Sequence, residues 1–171
     1  MKGAGLLPFV LLFPEQGMAE TRVFTVRRQP SLPDDDYALM ESFCTDATCH
    51  CRRVMLNVAG RRHGGILATV SYAFDRDDPF AGPFLDPLNP QSAYSDTLLG
   101  LVEQALADPA YVARLEAHYY QVKGAVADPS HPAWRLAAET VGTAASAMPG
   151  SLGRRPAGTG ATRKNRKPRR R

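Results

Sequence analysis

Hydrophobic and polar positions alternate along three segments in the first half of the chain. Residues 37–44 alternate imperfectly, and a short helix is the alternative there, whereas residues 53–59 and 66–74 are clearer strands. The last segment is rich in β-branched and aromatic residues, which favour strands. A glycine-rich turn at 60–65 separates the second and third segments. The pattern predicts a small antiparallel meander, preceded by a short β-prone run, Val23–Val26.

Helical spacing replaces this alternation in the second half of the chain. Asn89 is a candidate N-cap, and Pro90 follows it at the first helical position, which suits proline. Asp108 and Pro109 form a second pair of the same kind. The two apolar stripes that follow are Tyr94, Leu98, Leu101, Val102 and Ala105, and then Tyr111, Val112, Leu115, Tyr119, Val122 and Val126. We expect these helices to pack as a hairpin against one face of the sheet, with residues 134–148 forming a third helix or an extension.

The elements together predict an α+β fold, in which a small antiparallel β-meander packs against a helical hairpin. With 171 residues, the chain suits one domain with tails. We assign an apolar extension to residues 1–20, the domain to 21–128, a weak helix or linker to 129–150 and a disordered basic tail to 151–171.

The N-terminal segment resembles a signal peptide, because Lys2 precedes a short apolar run at 6–13. The preferred interpretation is that synthesis starts at Met18 and that residues 1–17 are an upstream extension. The run is also too short to span a bilayer. We therefore expect a cytoplasmic protein, with export if residues 1–17 are a genuine signal peptide.

Charge is distributed unevenly along the chain. The net charge is +4, yet nine Lys or Arg residues and no acid follow from Arg154 onwards, so the remainder is acidic. Such a tail attracts polyanions, and its candidate nucleic-acid-binding residues are Arg163, Lys164, Arg166, Lys167, Arg169, Arg170 and Arg171. A merely solubilising tail is the equally weighted alternative.

All three cysteines of the chain, Cys44, Cys49 and Cys51, lie within eight residues. The close spacing of the cysteines and their odd number favour thiolate chemistry over structural disulfides. If Cys44 ends one strand and Cys51 precedes the next, the three sulfurs meet at one end of the sheet, where they can bind zinc at about 2.3 Å. We predict a metal site there, with zinc as the cofactor.

A closed tetrahedral site needs a fourth ligand. Asp46 lies in the same loop, and the third strand brings Asp75, Asp77 and Asp78 to the same end; an exchangeable water is the further alternative. His63 is expected in the opposite turn, roughly 20 Å or more away. The acids at 75–78 also suit a Mg²⁺ site, although turn-forming acids are the favoured interpretation.

Two other interpretations of the cysteines remain open. They are small buried thiols, or they perform redox or nucleophilic chemistry, with Arg52 and Arg53 lowering a neighbouring thiol pKa. His118 is predicted to be a helix-surface or satisfied core histidine, and His131 a loop residue. The sequence contains no nucleophile-elbow string and no phosphate-binding glycine loop.

Roughly residues 37–126 resemble a group of uncharacterised bacterial proteins. The segments that carry the resemblance are residues 37–44, then Asp46, Cys49 and Cys51-Arg52-Arg53-Val54, Leu67-Ala68-Thr69 with Tyr72, and Leu88-Asn89-Pro90-Gln91-Ser92 followed by Tyr94-Ser95. Members of that group often end in a SEC-C motif, a cysteine-rich zinc-binding tail. No cysteine follows Cys51 here, so the resemblance implies metal binding without its usual module.

These observations favour a non-enzymatic zinc-binding or interaction module. The alternatives are a nucleic-acid-associated protein that binds through its basic tail, and a thiol- or metal-dependent enzyme. The sequence shows no acid/base pair that would support the last of these.

Overall fold

A computed structural model of the protein describes residues 5–146, with side chains described as far as residue 140. These residues form one six-stranded antiparallel sheet and five helices, which confirms the predicted α+β class. The strands are β1 (Leu6–Pro8), β2 (Arg22–Val26), β3 (Asp35–Cys44), β4 (Arg53–Gly60), β5 (Ile66–Ala73) and β6 (Phe84–Leu85). The helices are α1 (Phe9–Leu12), α2 (Pro14–Glu20), α3 (Ser95–Leu106), α4 (Pro109–Ala127) and α5 (Pro132–Ser146).

Strand β3 organises the sheet. On one side it pairs with β4, which continues through β5 to the short β6. On its other side it pairs with two strands in succession, β1 at residues 42–44 and β2 at residues 35–39. Met40 and Glu41 lie between these two pairings, so no strand covers the β3 edge there.

The alternating pattern of β3 places one set of side chains in the core. Tyr37, Leu39 and Phe43 are fully buried, and Glu41 lies among them with 6 % of its surface exposed. The predicted meander of β3, β4 and β5 is confirmed, including the turn that joins β4 to β5. A buried carboxylate on the apolar face requires a partner, and its partner comes from the helices.

The N-terminal segment is part of the packed domain from residue 5 onwards. Strand β1 pairs with the end of β3, and Phe9 and Leu12 of α1 are buried in the core. Helices α1 and α2 pack so closely that a Cβ on Gly17 would lie 2.6 Å from Val10 Cα. The boundary expected after residue 20 is therefore not a boundary in packing, because the short apolar run that resembles a signal peptide supplies core side chains.

Helix α3 begins five residues later than expected. It starts at Ser95 after Tyr94, which makes no side-chain capping bond. The Asn89 side chain instead donates to Asp86 Oδ1 at 3.0 Å, so the predicted Asn89 N-cap is wrong. The second predicted helix start, Asp108-Pro109, is confirmed. Asp108 Oδ1 accepts a hydrogen bond from the Ala110 N–H, and Pro109 is the first residue of α4.

Helices α3 and α4 pack against the sheet, α3 on β5 and β6, and α4 on β3 and β4. Their predicted apolar stripes supply the buried residues Leu98, Val102, Leu115, Tyr119 and Val122. Helix α5 lies against α4 and begins at Pro132, slightly before the predicted start. The basic residues predicted to bind nucleic acid, at 163–171, lie outside the described residues.

Among the described helices, none combines the length and the apolar character that a membrane crossing requires.

Candidate metal centre

The three cysteines, hereafter the cysteine cluster, lie where β3 ends and β4 begins. Cys44 is the last residue of β3, and Cys49 and Cys51 lie in the loop at 45–52. A turn within the loop is closed by the Cys49 N–H, which donates to the Asp46 carbonyl at 3.2 Å. The predicted convergence at one end of the meander therefore follows from the antiparallel pairing of β3 with β4.

Neighbouring segments fix both ends of this loop. The Thr45 N–H and hydroxyl both donate to the Gly5 carbonyl, at 3.0 and 2.9 Å, which ties the loop to the residue before β1. At the other end, Arg52 has a φ of 43° and its carbonyl accepts a hydrogen bond from Phe74 at 3.0 Å. The Arg52 guanidinium pairs with Glu116 of α4 at 2.5 Å. The loop is thus held by the sheet on one side and by α4 on the other.

The three Sγ atoms all lie within 4.8 Å of one another, and each cysteine is partly buried and free of disulfide bonds. Zinc with four tetrahedral ligands and Zn–S bonds of about 2.3 Å needs sulfur atoms about 3.8 Å apart. The observed arrangement is close to that spacing. Small side-chain rotations would therefore be enough to bring the three sulfurs onto one ion.

Cys49 is the thiol with thiolate character. Burial raises its pKa, but hydrogen bonds from the Cys51 N–H and from the Cys51 and Cys44 thiols, together with the Lys123 ammonium, outweigh burial and lower the pKa overall. Lys123 is held in place by donating from Nζ to the Asp46 carbonyl at 2.7 Å. A lowered pKa favours the thiolate, which is the form that binds metals and acts as a nucleophile.

Cys51 behaves in the opposite way. Burial raises the pKa of its thiol to about 11, and its hydrogen bond to Cys49 and the nearby charges of Cys44 and Cys49 add to the effect. Without a cation, a proton is therefore held more tightly by Cys51 than by Cys49. A bound divalent ion is what would make a second and third thiolate favourable at neutral pH.

The arginines predicted to lower a thiol pKa are engaged elsewhere. Arg52 pairs with Glu116, and Arg53 pairs with Asp78 at 2.7 Å. The side-chain cation that lowers the Cys49 pKa is Lys123 of α4. The sequence could not indicate Lys123, because it lies more than seventy residues away from the loop that it supports.

The predicted acidic ligands do not join the thiols. Within the described chain, the ligand atoms that come together at this end are the three sulfurs alone. Asp46 Oδ1 accepts hydrogen bonds from the N–H and the hydroxyl of Thr48, at 2.8 and 2.7 Å. Asp75 and Asp78 accept from the backbone N–H groups of Asp77 and Phe80, as the turn interpretation of these acids predicts.

A cavity of about 360 Å³ adjoins the cluster. Its lining residues are Leu6, Cys44, Cys51, Arg53, Val54, Met55, Ser71, Phe80, Phe84 and Asp86. Two of the three cysteines therefore border open space. A fourth ligand from solution, a water or a small molecule, has room to reach an ion at this position.

The histidines occupy the places that their sequence positions suggest. His63 lies in the β4–β5 turn, with Nδ1 3.0 Å from Asp35 Oδ2. His131 precedes α5, where its Nδ1 accepts a hydrogen bond from the Ala133 N–H at 3.1 Å. His118 is a satisfied core histidine of α4, 2 % exposed.

No local pattern in the sequence indicates the partners of His118. Its Nδ1 lies 2.6 Å from Glu41 Oε2 and its Nε2 lies 2.6 Å from Glu20 Oε2. Glu41 lies in β3, 77 positions along the chain from His118 of α4, and Glu20 lies in α2, 98 positions from it. The one available signal was Glu41, a charged residue on the otherwise apolar face of a predicted strand.

In comparisons with protein families, curated proteins and solved structures, nothing matches this chain. The resemblance to bacterial proteins that carry a SEC-C motif therefore stays a prediction.

Proposed function

We propose that the protein is a zinc-binding module in which Cys44, Cys49 and Cys51 provide three thiolate ligands. The observation that supports this most directly is the mutual approach of the three sulfurs to within 4.8 Å. Their type and spacing suit a borderline-soft divalent ion, because thiolates favour zinc over magnesium or calcium. The adjoining cavity leaves the fourth position to a ligand from solution.

The metal would add a link between strands that are already paired in the sheet, at the end where the loop at 45–52 joins β3 to β4. Cys44 belongs to β3, Cys51 directly precedes Arg52 and β4, and Gly5 before β1 is hydrogen-bonded to the same loop. An ion bound to all three sulfurs would fix the loop at 45–52 against α4. This role is that of an interaction or structural site.

Three thiolates around one Zn²⁺ leave a net charge of −1 at the site. Lys123 of α4 already interacts with the Cys49 thiolate and would offset part of this charge. The Cys51 thiol, with its pKa raised to about 11, must lose its proton for the metal to bind. Zinc affinity should therefore increase with pH through the neutral range, and binding should release protons.

Metal analysis of the full-length protein tests the proposal. After dialysis, we expect one zinc per chain, and cobalt substitution should give thiolate-to-metal charge-transfer bands with tetrahedral visible absorption. Replacing Cys44, Cys49 or Cys51 by Ser should each lower the zinc content and the affinity by at least about tenfold.

His50→Ala is the matched control. His50 is exposed in the same loop and is a residue type that binds zinc, yet it does not join the cluster. Its removal should leave the metal content unchanged. A protein that is folded, shows no saturable zinc binding and has the same stability with and without a chelator would contradict the proposal.

Thiol chemistry at Cys49 is the second candidate, favoured by the lowered pKa of that residue. It predicts that Cys49 is alkylated by iodoacetamide faster than Cys51 and at lower pH. If the Cys49 sulfur both binds zinc and reacts as a nucleophile, zinc should block its alkylation. Equal alkylation of all three thiols with an ordinary pH dependence would exclude an activated cysteine.

A further inference from the structure

A second cavity, of about 310 Å³, lies on the opposite side of the β1–β3 pairing from the cysteine cluster. It occupies the gap between β1 and β2, where no strand of the described chain covers the outer edge of β3 at Met40 and Glu41. Phe9, Gly17, Glu41 and His118 are its buried residues, and the exposed Met18 and Val23 lie at its mouth. Its volume is at the lower end of the range for small-molecule sites.

The polar part of this cavity carries one net negative charge. His118 has a carboxylate oxygen 2.6 Å from each ring nitrogen, Glu41 at Nδ1 and Glu20 at Nε2. Each of these contacts needs a proton between its two atoms. Two carboxylates and one imidazole that share two protons have a total charge of −1, wherever the protons reside.

The His118 pKa is consistent with this arrangement. Burial lowers the pKa, but the hydrogen bonds and charges of Glu41 and Glu20 outweigh burial and raise it. The Glu20 pKa is lowered: burial raises it, whereas hydrogen bonds from His118 and Gln16 and the charge of Arg114 act more strongly in the other direction. Both shifts favour an imidazolium at His118 and a carboxylate at Glu20.

No lysine or arginine of the described chain neutralises this charge by direct pairing. The ion pairs that Glu20 and Glu41 make are both with His118. The Arg114 guanidinium lies over the Tyr111 ring, 5.2 Å from its centroid. A net charge beside an apolar cavity is unfavourable unless a counter-charge reaches it.

Glu41 has an oxygen available for such a counter-charge. Its side chain is 5 % exposed, and the one hydrogen bond that its side chain accepts from the described chain is at Oε2, from His118 Nδ1. Glu41 Oε1 has no hydrogen-bond partner in the described chain. It also retains some solvent exposure, because the fully buried side-chain atoms without a partner do not include it. Since Glu41 lines the cavity, this oxygen is accessible from it.

We propose that this cavity is a binding site for small aryl- or alkylammonium ligands, with the ammonium group donating to Glu41 Oε1. The apolar walls formed by Phe9, Val10 and Met40 would hold the hydrocarbon part of the ligand. Stacking of Phe9 on His118, with ring centroids 4.0 Å apart, fixes the imidazole beneath the site. The site would select cationic over neutral ligands, because a neutral molecule of the same shape would not offset the net negative charge of the cluster.

Benzylamine, phenethylamine and phenylpropylamine are suitable probes, with phenethyl alcohol as the neutral analogue of the second. We expect saturable amide shift changes at Gly17, Ala38 and Met40 in two-dimensional NMR titrations of the full-length protein with the best-fitting amine. Phenethyl alcohol should bind at least about tenfold more weakly, because a hydrogen bond to a charged group contributes more than 1.4 kcal/mol, the equivalent of tenfold.

Two variants locate the binding. Glu41→Gln removes the charge with little change of shape and should abolish the preference for amine over alcohol. Ala38→Leu fills the cavity while retaining Glu20, Glu41 and His118, and should weaken the amine by at least about tenfold. Glu103→Gln is the matched control, an exposed carboxylate of α3 outside the cavity, and should have no effect.

Three results would overturn the proposal. They are equal affinity for phenethylamine and phenethyl alcohol, an amine affinity that survives Ala38→Leu, and the absence of saturable shifts at the cavity with all three amines. If Glu41→Gln fails to fold, the comparison of amine with alcohol and the Ala38→Leu variant still decide the question.

Discussion

The cysteine cluster and the Glu20–His118–Glu41 cluster each bring three titratable side chains together, but the fold assembles them differently. The cysteines lie within eight residues, are partly exposed and meet because one hairpin loop closes. The carboxylates and the histidine come from three elements far apart in sequence and meet in the core. The first cluster consists of thiols alone, whereas in the second a histidine ring lies between the two carboxylates. We therefore expect zinc-dependent stability at the cysteines and zinc-independent stability at His118.

The largest expected effect is at His118. Replacing His118 by Ala leaves Glu41 buried without its partner, and we expect a loss of about 3–5 kcal/mol in the free energy of unfolding. Urea unfolding at pH 7 measures it, with Gln121→Ala on the same helix as control. A loss no larger than that of the control would show that the cluster contributes little to stability.

The next effect concerns zinc. At a free zinc concentration about 100 times the dissociation constant, we expect about 2.7 kcal/mol of stabilisation. Cys49→Ser should remove this increment, and His118→Ala should retain it, because the two clusters have no residue in common. An increment that is lost in both variants would mean that the two regions are coupled.

A smaller effect is expected at Asp46. Asp46→Asn weakens the turn hydrogen bonds to Thr48 and should lower the unfolding free energy only slightly. Since its carboxylate does not join the sulfurs, the zinc-to-protein ratio should stay unchanged. A drop in that ratio, measured by metal analysis, would restore Asp46 as the fourth ligand that the sequence suggested.

The smallest effect is a difference in pH dependence. Because the His118 pKa is raised in the folded state, its contribution to stability is fully present below the unfolded value of about 6.5 and is lost as pH rises through the folded pKa. Zinc affinity should change in the opposite direction, increasing with pH. Unfolding and zinc titrations between pH 6 and 9 measure both trends; parallel trends would contradict the assignment of separate titrating groups.

The same comparison explains what the sequence could predict. The meander, the Asp108-Pro109 helix start and the cysteine convergence depend on neighbours in sequence, so periodicity and spacing were sufficient to find them. The Asn89-Pro90 start failed because the Asn89 side chain is bound as a donor to Asp86 Oδ1, whereas an N-cap side chain accepts from a backbone N–H of the first turn. Lys123 near Cys49, and the approach of Glu20 and Glu41 to His118, depend on tertiary packing that no local pattern contains.

The pairing of β1 with β3 has a consequence for any shorter form of the chain. Starting at Met18, or removing residues 1–17 by cleavage, would take away Leu7 and Phe9, both buried in the core. It would also leave residues 42–44 of β3 without the strand that covers them. An uncovered strand edge has unpaired backbone N–H and C=O groups, which can pair with a strand of another molecule. The truncated protein, which also exposes part of its core, should therefore tend to aggregate unless another chain supplies the missing strand.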